Sequence, residues 1–159
     1  LDDASLLKGQ LAAYVETRLA LNPAQREACM APAEGGLQVL AGAGTGKTML
    51  IAARFLTLMD RLAAQGVGSP ESRLLVLTFT DKAAAEMRHR IHKYLGEAGY
   101  AGPMPQQTVS TFHGFCHMLL RRHPLEAGLG SDFELADGAW QRRLFERVTQ
   151  HVRQGMTQN

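Results

Sequence analysis

Apolar residues recur at near-helical spacing over residues 4 to 20, at Leu7, Leu11, Tyr14, Val15 and Leu19, and predict an amphipathic helix. Asn22-Pro23 is a helix start, with Asn as the cap and Pro in the first turn. A short helix is expected from Pro23 to about Met30, closed by Pro32 and Gly35-Gly36. "LQVLA" (37–41) is short and apolar and reads as a buried strand. Beyond a run of small residues, Ile51, Phe55, Leu58 and Leu62 repeat at spacings of four, three and four, one apolar helix face. After a loop over 63–72, "RLLVLTF" (73–79) is a continuous apolar run of the kind a parallel sheet buries on both faces. Asp81 then caps a helix whose inner stripe is Ala84, Met87, Ile91 and Leu95. A loop over 96–105 leads to a short third strand, "QTVS" (107–110), and Thr111 caps a helix to about Arg122. A last helix begins near Asp137 and carries Trp140, Leu144 and Val148. Strand and helix thus alternate three times, the pattern of an α/β fold with a parallel sheet flanked by helices and right-handed crossovers.

Composition changes this picture little. The 159 residues are 45% hydrophobic and 20% charged, enough for one domain with a real core. A net charge of +2 gives no global electrostatic case for a nucleic-acid binder, so any such role rests on local patches. Cys29 and Cys116 lie far apart without metal-type spacing, which favours a reduced, cytoplasmic setting. No apolar run approaches bilayer length, and no signal-peptide pattern is present. The chain starts at Leu1, not Met, so a piece of a longer protein is expected.

The chemistry concentrates in "AGAGTGKT" (41–48), set between the apolar run 37–41 and a helix. Gly42, Gly44 and Gly46, with Ala43 and Thr45 between them, let successive backbone N–H groups converge on one point. The helix starting near Lys47 adds its positive dipole end. Lys47 can reach the β- and γ-phosphates of a nucleotide, and the Thr48 hydroxyl can ligate Mg²⁺. The usual pattern has glycine where Ala41 stands, which is acceptable provided that residue stays extended with negative φ. The alternative is a glycine-rich turn with a chance Gly-Lys-Thr.

Four blocks carry a wider resemblance: "LNPAQREA" (21–28), "AGAGTGKT" (41–48), "LTFTDKAAAEMRHRI" (77–91) and "VSTFHGFCHMLLRR" (109–122). In order and spacing they resemble the Q motif and motifs I, Ia and Ib of UvrD/PcrA/Rep-type superfamily-1 DNA helicases. The resemblance implies a partial RecA-like ATP-binding domain over residues 21–122, preceded by a helix in 1–20 and followed over 123–159 by the start of a helical insertion. It implies ATP and Mg²⁺ as cofactors, with Gln25 on the adenine edge, Gly42 to Gly46 around the phosphates, and Lys47 and Thr48 as the catalytic residues. Met49 stands where family members commonly have Arg near the base, and Arg54 matches a structural basic position. It also implies single-stranded DNA as partner. Thr78, Phe79, Thr80 and Lys82 would lie at the carboxyl end of the second strand, and Thr111, Phe112 and His113 at the equivalent end of the third. Phe79 would stack on a base or wall its pocket, and Thr80 with the helix behind it would hold a backbone phosphate.

Other groups read more plainly. His113, Cys116 and His117 do not supply the ligands of a tetrahedral zinc site. His89 and His92 are expected on the surface, Glu86 in an ion pair, and Trp140 packed under the last helix. Hydrolysis needs an acidic residue on the Mg²⁺ shell and a group that positions water. No apolar strand of this chain ends in the Asp-Glu pair that the family uses. The expectation is the amino-terminal, ATP-binding portion of a helicase that moves 3′ to 5′ on single strands, inactive by itself, the rest of the helicase chain being its further partner. Two alternatives are a small phosphotransferase, which would transfer phosphate without DNA, and a non-catalytic nucleotide- or DNA-binding module.

Overall fold

Helices dominate the computed structural model, which describes residues 9–102, 108–136 and 138–156, apart from the side chains of 155 and 156. The chain falls into two units, one up to Cys116 and one from His117. In the first, α1 (Gln10–Arg18), α2 (Pro23–Met30), α3 (Lys47–Ala64), β1 (Val76–Thr78), α4 (Asp81–Glu97) and β2 (Val109–Thr111) follow in order, and α5 (Phe112–Arg122) begins. A 3-10 turn, Pro70–Arg73, occupies the end of the expected loop 63–72. β1 and β2 pair in parallel, with Val76 opposite Val109 and Thr78 opposite Thr111. The architecture is α/β: a small parallel sheet flanked by helices.

α3 is the hub, with α1, α2 and α4 packed against it. Its buried positions are Ala52, Ala53, Leu56, Met59, Asp60 and Ala63 together with Leu50, Phe55 and Thr57. The expected stripe therefore needs correction. Phe55 is buried, but Ile51 is exposed and Leu58 and Leu62 only half-buried. A helix covered from several sides buries a broad arc, and its alanines set how closely the neighbours approach. The α4 stripe of Ala84, Met87, Ile91 and Leu95 is buried as expected, with Tyr94 added.

α1 is tied at several points. Asp60, buried on α3, accepts hydrogen bonds from the Gly9 N–H at 3.0 and 3.2 Å and from the Leu11 N–H at 3.2 Å. Gln10 donates to the Ala98 carbonyl at 2.6 Å, and the Tyr14 hydroxyl donates to Glu97. Burial, reinforced by the Glu97 carboxylate, holds the Tyr14 phenol above the usual tyrosine range. The carboxyl end of α2 is held by two arginines of α3. Arg54 donates to the carbonyls of Ala28 (2.7 Å), Ala31 (3.1 Å) and Pro32 (3.0 Å), and Arg61 to those of Ala31 (2.8 Å) and Met30. These are carbonyls a helix end leaves unpaired, which gives Arg54 the structural role expected of it. Burial raises the nearby Cys29 thiol, with Arg54 opposing the shift.

Several predicted boundaries move. Residues 37–41 pair with no strand among the described residues, and Leu37, Val39 and Leu40 are exposed. A strand buried on both faces needs neighbours on its hydrogen-bonding edges, and the described sheet has two strands, β1 and β2. The run 73–79 contributes only Val76–Thr78 to that sheet. Thr80, not Asp81, caps α4, its hydroxyl accepting from the Ala83 N–H at 3.1 Å while Asp81 becomes the first helical residue. Leu7 of the first expected helix, Gln107 of the third strand and Asp137 at the start of the last helix lie outside the described residues.

The second unit holds the end of α5, a turn, and α6 (Gly138–Met156). Phe133 meets His117 edge-on at 6.1 Å and lies 5.0 Å beneath the Arg121 guanidinium, a cation–π geometry. On α6, Trp140, Leu144, Phe145, Val148 and Val152 form an exposed apolar stripe, so Trp140 is not packed away as expected. With Leu37, Val39 and Leu40 also exposed, the chain offers apolar side chains that a second copy can cover. It is expected to self-associate with rising concentration in light scattering; a clean monomer throughout would contradict this.

Candidate phosphate loop and nucleic-acid interface

The phosphate loop is built by local chemistry on both sides. Gly44 and Gly46 have φ of 73° and 84°, a region that side chains disfavour, and every positive-φ residue described is a glycine. Ala41 is thus not at positive φ, as its position requires. Gly42 is not at positive φ, and a Cβ there would meet only Thr45 Cγ2 at 3.8 Å, an ordinary contact. The Thr45 hydroxyl donates back to the Gly42 carbonyl at 2.8 Å and closes the turn. Gly46 caps α3, and its carbonyl takes the Leu50 N–H at 2.9 Å.

Lys47 opens α3 with an exposed side chain, and its ammonium donates to the carbonyls of Ala41, at 3.2 Å, and Gly42. Thr48 is half-buried beside it. Residues 41 to 45 are exposed, so the loop faces outward. Gln25 joins the site from α2. It closes a capping box with Asn22, each side chain bonded to the other's backbone at 2.9 Å. Its Nε2 also donates to the Thr45 carbonyl at 2.9 Å. One Gln25 N–H and one lone pair of Oε1 remain for a further partner. Met49 is half-buried, and its methyl would lie 3.6 Å from a Cβ on Gly46.

A second set of groups gathers where the two strands end. Because Thr78 faces Thr111 in register, the next residues, Phe79 and Phe112, stand side by side with ring centroids 5.3 Å apart. Phe79 is 88% exposed and Phe112 44% exposed, so neither is a core residue. Each is followed by a helix. Thr80 caps α4, and Thr111 accepts from the Gly114 N–H at 3.1 Å at the start of α5. Both hydroxyls keep a proton to donate. Gly114 fits because a Cβ there would approach Ser110 Oγ to 2.8 Å. Lys82 and His113 are exposed on the first turns of these helices, and the Thr78 hydroxyl turns to the Thr80 carbonyl at 3.1 Å.

The remaining candidates separate from both sites. Glu86 pairs with Arg90 at 3.1 Å, Arg88 donates to the Val109 carbonyl at 3.0 Å, and His89 and His92 are exposed. Among the described residues no three His, Cys, Asp or Glu side chains converge on a metal position, and no helix is long and apolar enough to cross a membrane. Sequence reasoning missed the Gln25–Thr45 link and the buried Asp60. Asp60 had a signal: it is a charge in step with Ala52, Ala53, Leu56 and Ala63 on the packed side of α3.

The family model described as UvrD/REP helicase N-terminal domain matches residues 21–159. DNA helicase II of Escherichia coli (strain K12) is 46% identical over 128 residues, 80% of this chain and 16% of that protein. The ATP-dependent DNA helicase UvrD1 of Mycobacterium leprae (strain TN) is 42% identical over 134 residues, 83% of this chain and 16% of its own length. The ATP-dependent DNA helicase PcrA of Bacillus subtilis (strain 168) is 36% identical over 128 residues, 79% and 16% of the two chains. The chain thus spans about a sixth of the length of these relatives.

Proposed function

The chain belongs to the UvrD/REP helicase N-terminal domain family, and from that premise we propose that it supplies the nucleotide-gripping and strand-contacting part of an ATP-dependent DNA helicase. The observation that carries this reading is the outward-facing glycine loop at the head of α3, with Gly44 and Gly46 at positive φ and Lys47 beside it. Backbone N–H groups and a helix amino end suit a polyphosphate there. Mg²⁺ would arrive with the nucleotide, take the Thr48 hydroxyl as one ligand and offset phosphate charge. Gln25 would spend its remaining donor and acceptor on the adenine edge, with the Met49 thioether nearby.

Single-stranded DNA would cross the ends of β1 and β2. The exposed Phe79 and Phe112 offer two faces for bases, which stack without sequence preference. Thr78, Thr80, Thr111, His113 and Lys82 surround them with donors for backbone phosphates. Residues 21–122 would be part of a RecA-like motor domain and 123–159 the start of a helical insertion, with movement 3′ to 5′ along the strand. By itself the chain binds nucleotide and strand but does not turn ATP over, because its sequence offers no Asp-Glu pair at a strand end to position Mg²⁺ and water.

The strand interface is tested by Phe79→Ala with fluorescently labelled oligothymidine. Loss of one stacking partner should weaken binding about tenfold, from a base–aromatic contact of roughly 1–3 kcal/mol. The salt dependence should stay the same, since phosphate contacts are untouched. Equal affinity for the variant and the unaltered chain would remove Phe79 from the interface.

A further inference from the structure

Gln25 does more in this structure than a base contact requires. Its Nε2 donates to the Thr45 carbonyl at 2.9 Å, while the Gly46 carbonyl is held by the Leu50 N–H at 2.9 Å. The two peptide groups that bound Gly46 are therefore both pinned through their oxygens. None of the described peptide bonds is cis, and in a trans peptide the N–H points away from its C=O. Pinning Thr45 O toward α2 turns the Gly46 N–H away from α2. Pinning Gly46 O along α3 leaves the Lys47 N–H projecting from the helix amino end, where no intrahelical acceptor exists. Two consecutive N–H groups are thereby aimed by two hydrogen bonds, and one of the two belongs to the Gln25 side chain. The fit is close, since a Cβ on Gly46 would come within 3.1 Å of Gln25 Nε2.

We propose that Gln25 is a positioning residue for the polyphosphate: by holding back the Thr45 carbonyl it orients the amides that grip phosphate, whatever base is attached. The inference rests on the phosphate-loop reading above. It also gives α2 a task, because the capping box that fixes Gln25 at the head of the helix and the arginines that fix the helix's other end together set where that amide lies.

The test uses magnesium tripolyphosphate, which has no base, beside magnesium-ATP, both titrated by calorimetry. Gln25→Met is neutral and of similar length but lacks the donor. It should lose about five- to tenfold in affinity for both ligands, the worth of one hydrogen bond. Asn22→Ala removes only the side-chain half of the capping box; the backbone N–H of residue 22 still holds Gln25 Oε1 and the Thr45 bond stays, so the melting temperature should fall with tripolyphosphate affinity retained. A loss confined to ATP, or an Asn22→Ala loss on tripolyphosphate equal to that of Gln25→Met, overturns the proposal. If the unaltered chain binds tripolyphosphate and Lys47→Ala abolishes this while Gln25→Met does not, the loop reading stands and the positioning role falls. If the unaltered chain does not bind tripolyphosphate, both fall.

Discussion

Replacing Lys47 by alanine is expected to weaken magnesium-ATP binding by about 100-fold, the worth of one to two hydrogen bonds to charged groups at roughly 1.5–3 kcal/mol each. The Lys47 ammonium donates to the carbonyls of Ala41 and Gly42, so it sits at the mouth of the loop with its reach already set. An arriving polyphosphate replaces neutral carbonyl partners by anionic oxygens, and charge-assisted bonds are roughly twice as strong as neutral ones. The side chain is exposed, so truncation should cost the fold no more than about 0.5 kcal/mol. Lys47→Arg should fall between the two, since a planar fork cannot follow a compact point charge into the turn. Calorimetric titration reads all three proteins. An alanine variant that binds as tightly as the parent, with an unchanged melting curve, would show that this loop grips no phosphate.

What the chain writes locally was legible, and what depends on neighbours was not. Asn22 was readable as a cap because the N–H it accepts, that of Gln25, lies within one turn; the structure adds the Gln25 side chain as the other half of a capping box. The α4 stripe was readable because only one side of that helix is covered. The glycine loop was readable for the same local reason: positive φ at Gly44 and Gly46 is a property of those residues. The run 37–41 misled because its apolar character reports a preference for sheet neighbours, whereas pairing depends on a partner elsewhere in the chain. On α3, spacing alone favoured Ile51, Leu58 and Leu62, but three helices pack on that cylinder, and small alanines mark the closest approach. Phe79 could not be placed by period alone, since an aromatic at a strand end serves a core or a surface equally. Its exposure beside Phe112 follows from the parallel register, a long-range fact.

Asp60→Ala is expected to destabilise the chain by about 2–3 kcal/mol, a lost cap together with backbone donors left unpaired. Gly9 opens α1 at φ 85° and has no side chain to cap it, so the cap comes from across the core. Asp60, 7% exposed, takes the Gly9 and Leu11 N–H groups on its carboxylate. Alanine leaves the buried Leu11 N–H without its acceptor and strips the Gly9 N–H, on an exposed residue, of its cap. The melting temperature should drop roughly 5–10 °C, as expected for that loss in a domain of this size. Amide exchange should accelerate across α1 before it does across α4, because α4 keeps its own cap at Thr80. Asp60→Asn retains one acceptor oxygen and should lose less. The effect matters beyond stability because α1 precedes the segment matched by the family model, residues 21–159. Leu11 and Val15 nevertheless complete the packing on α3, the helix that carries Lys47 and Thr48 at its other end. If Asp60→Ala melts with the unaltered chain, α1 is held by its apolar face alone, and the carboxylate at the foot of α3 contributes nothing to holding the helix that bears the loop.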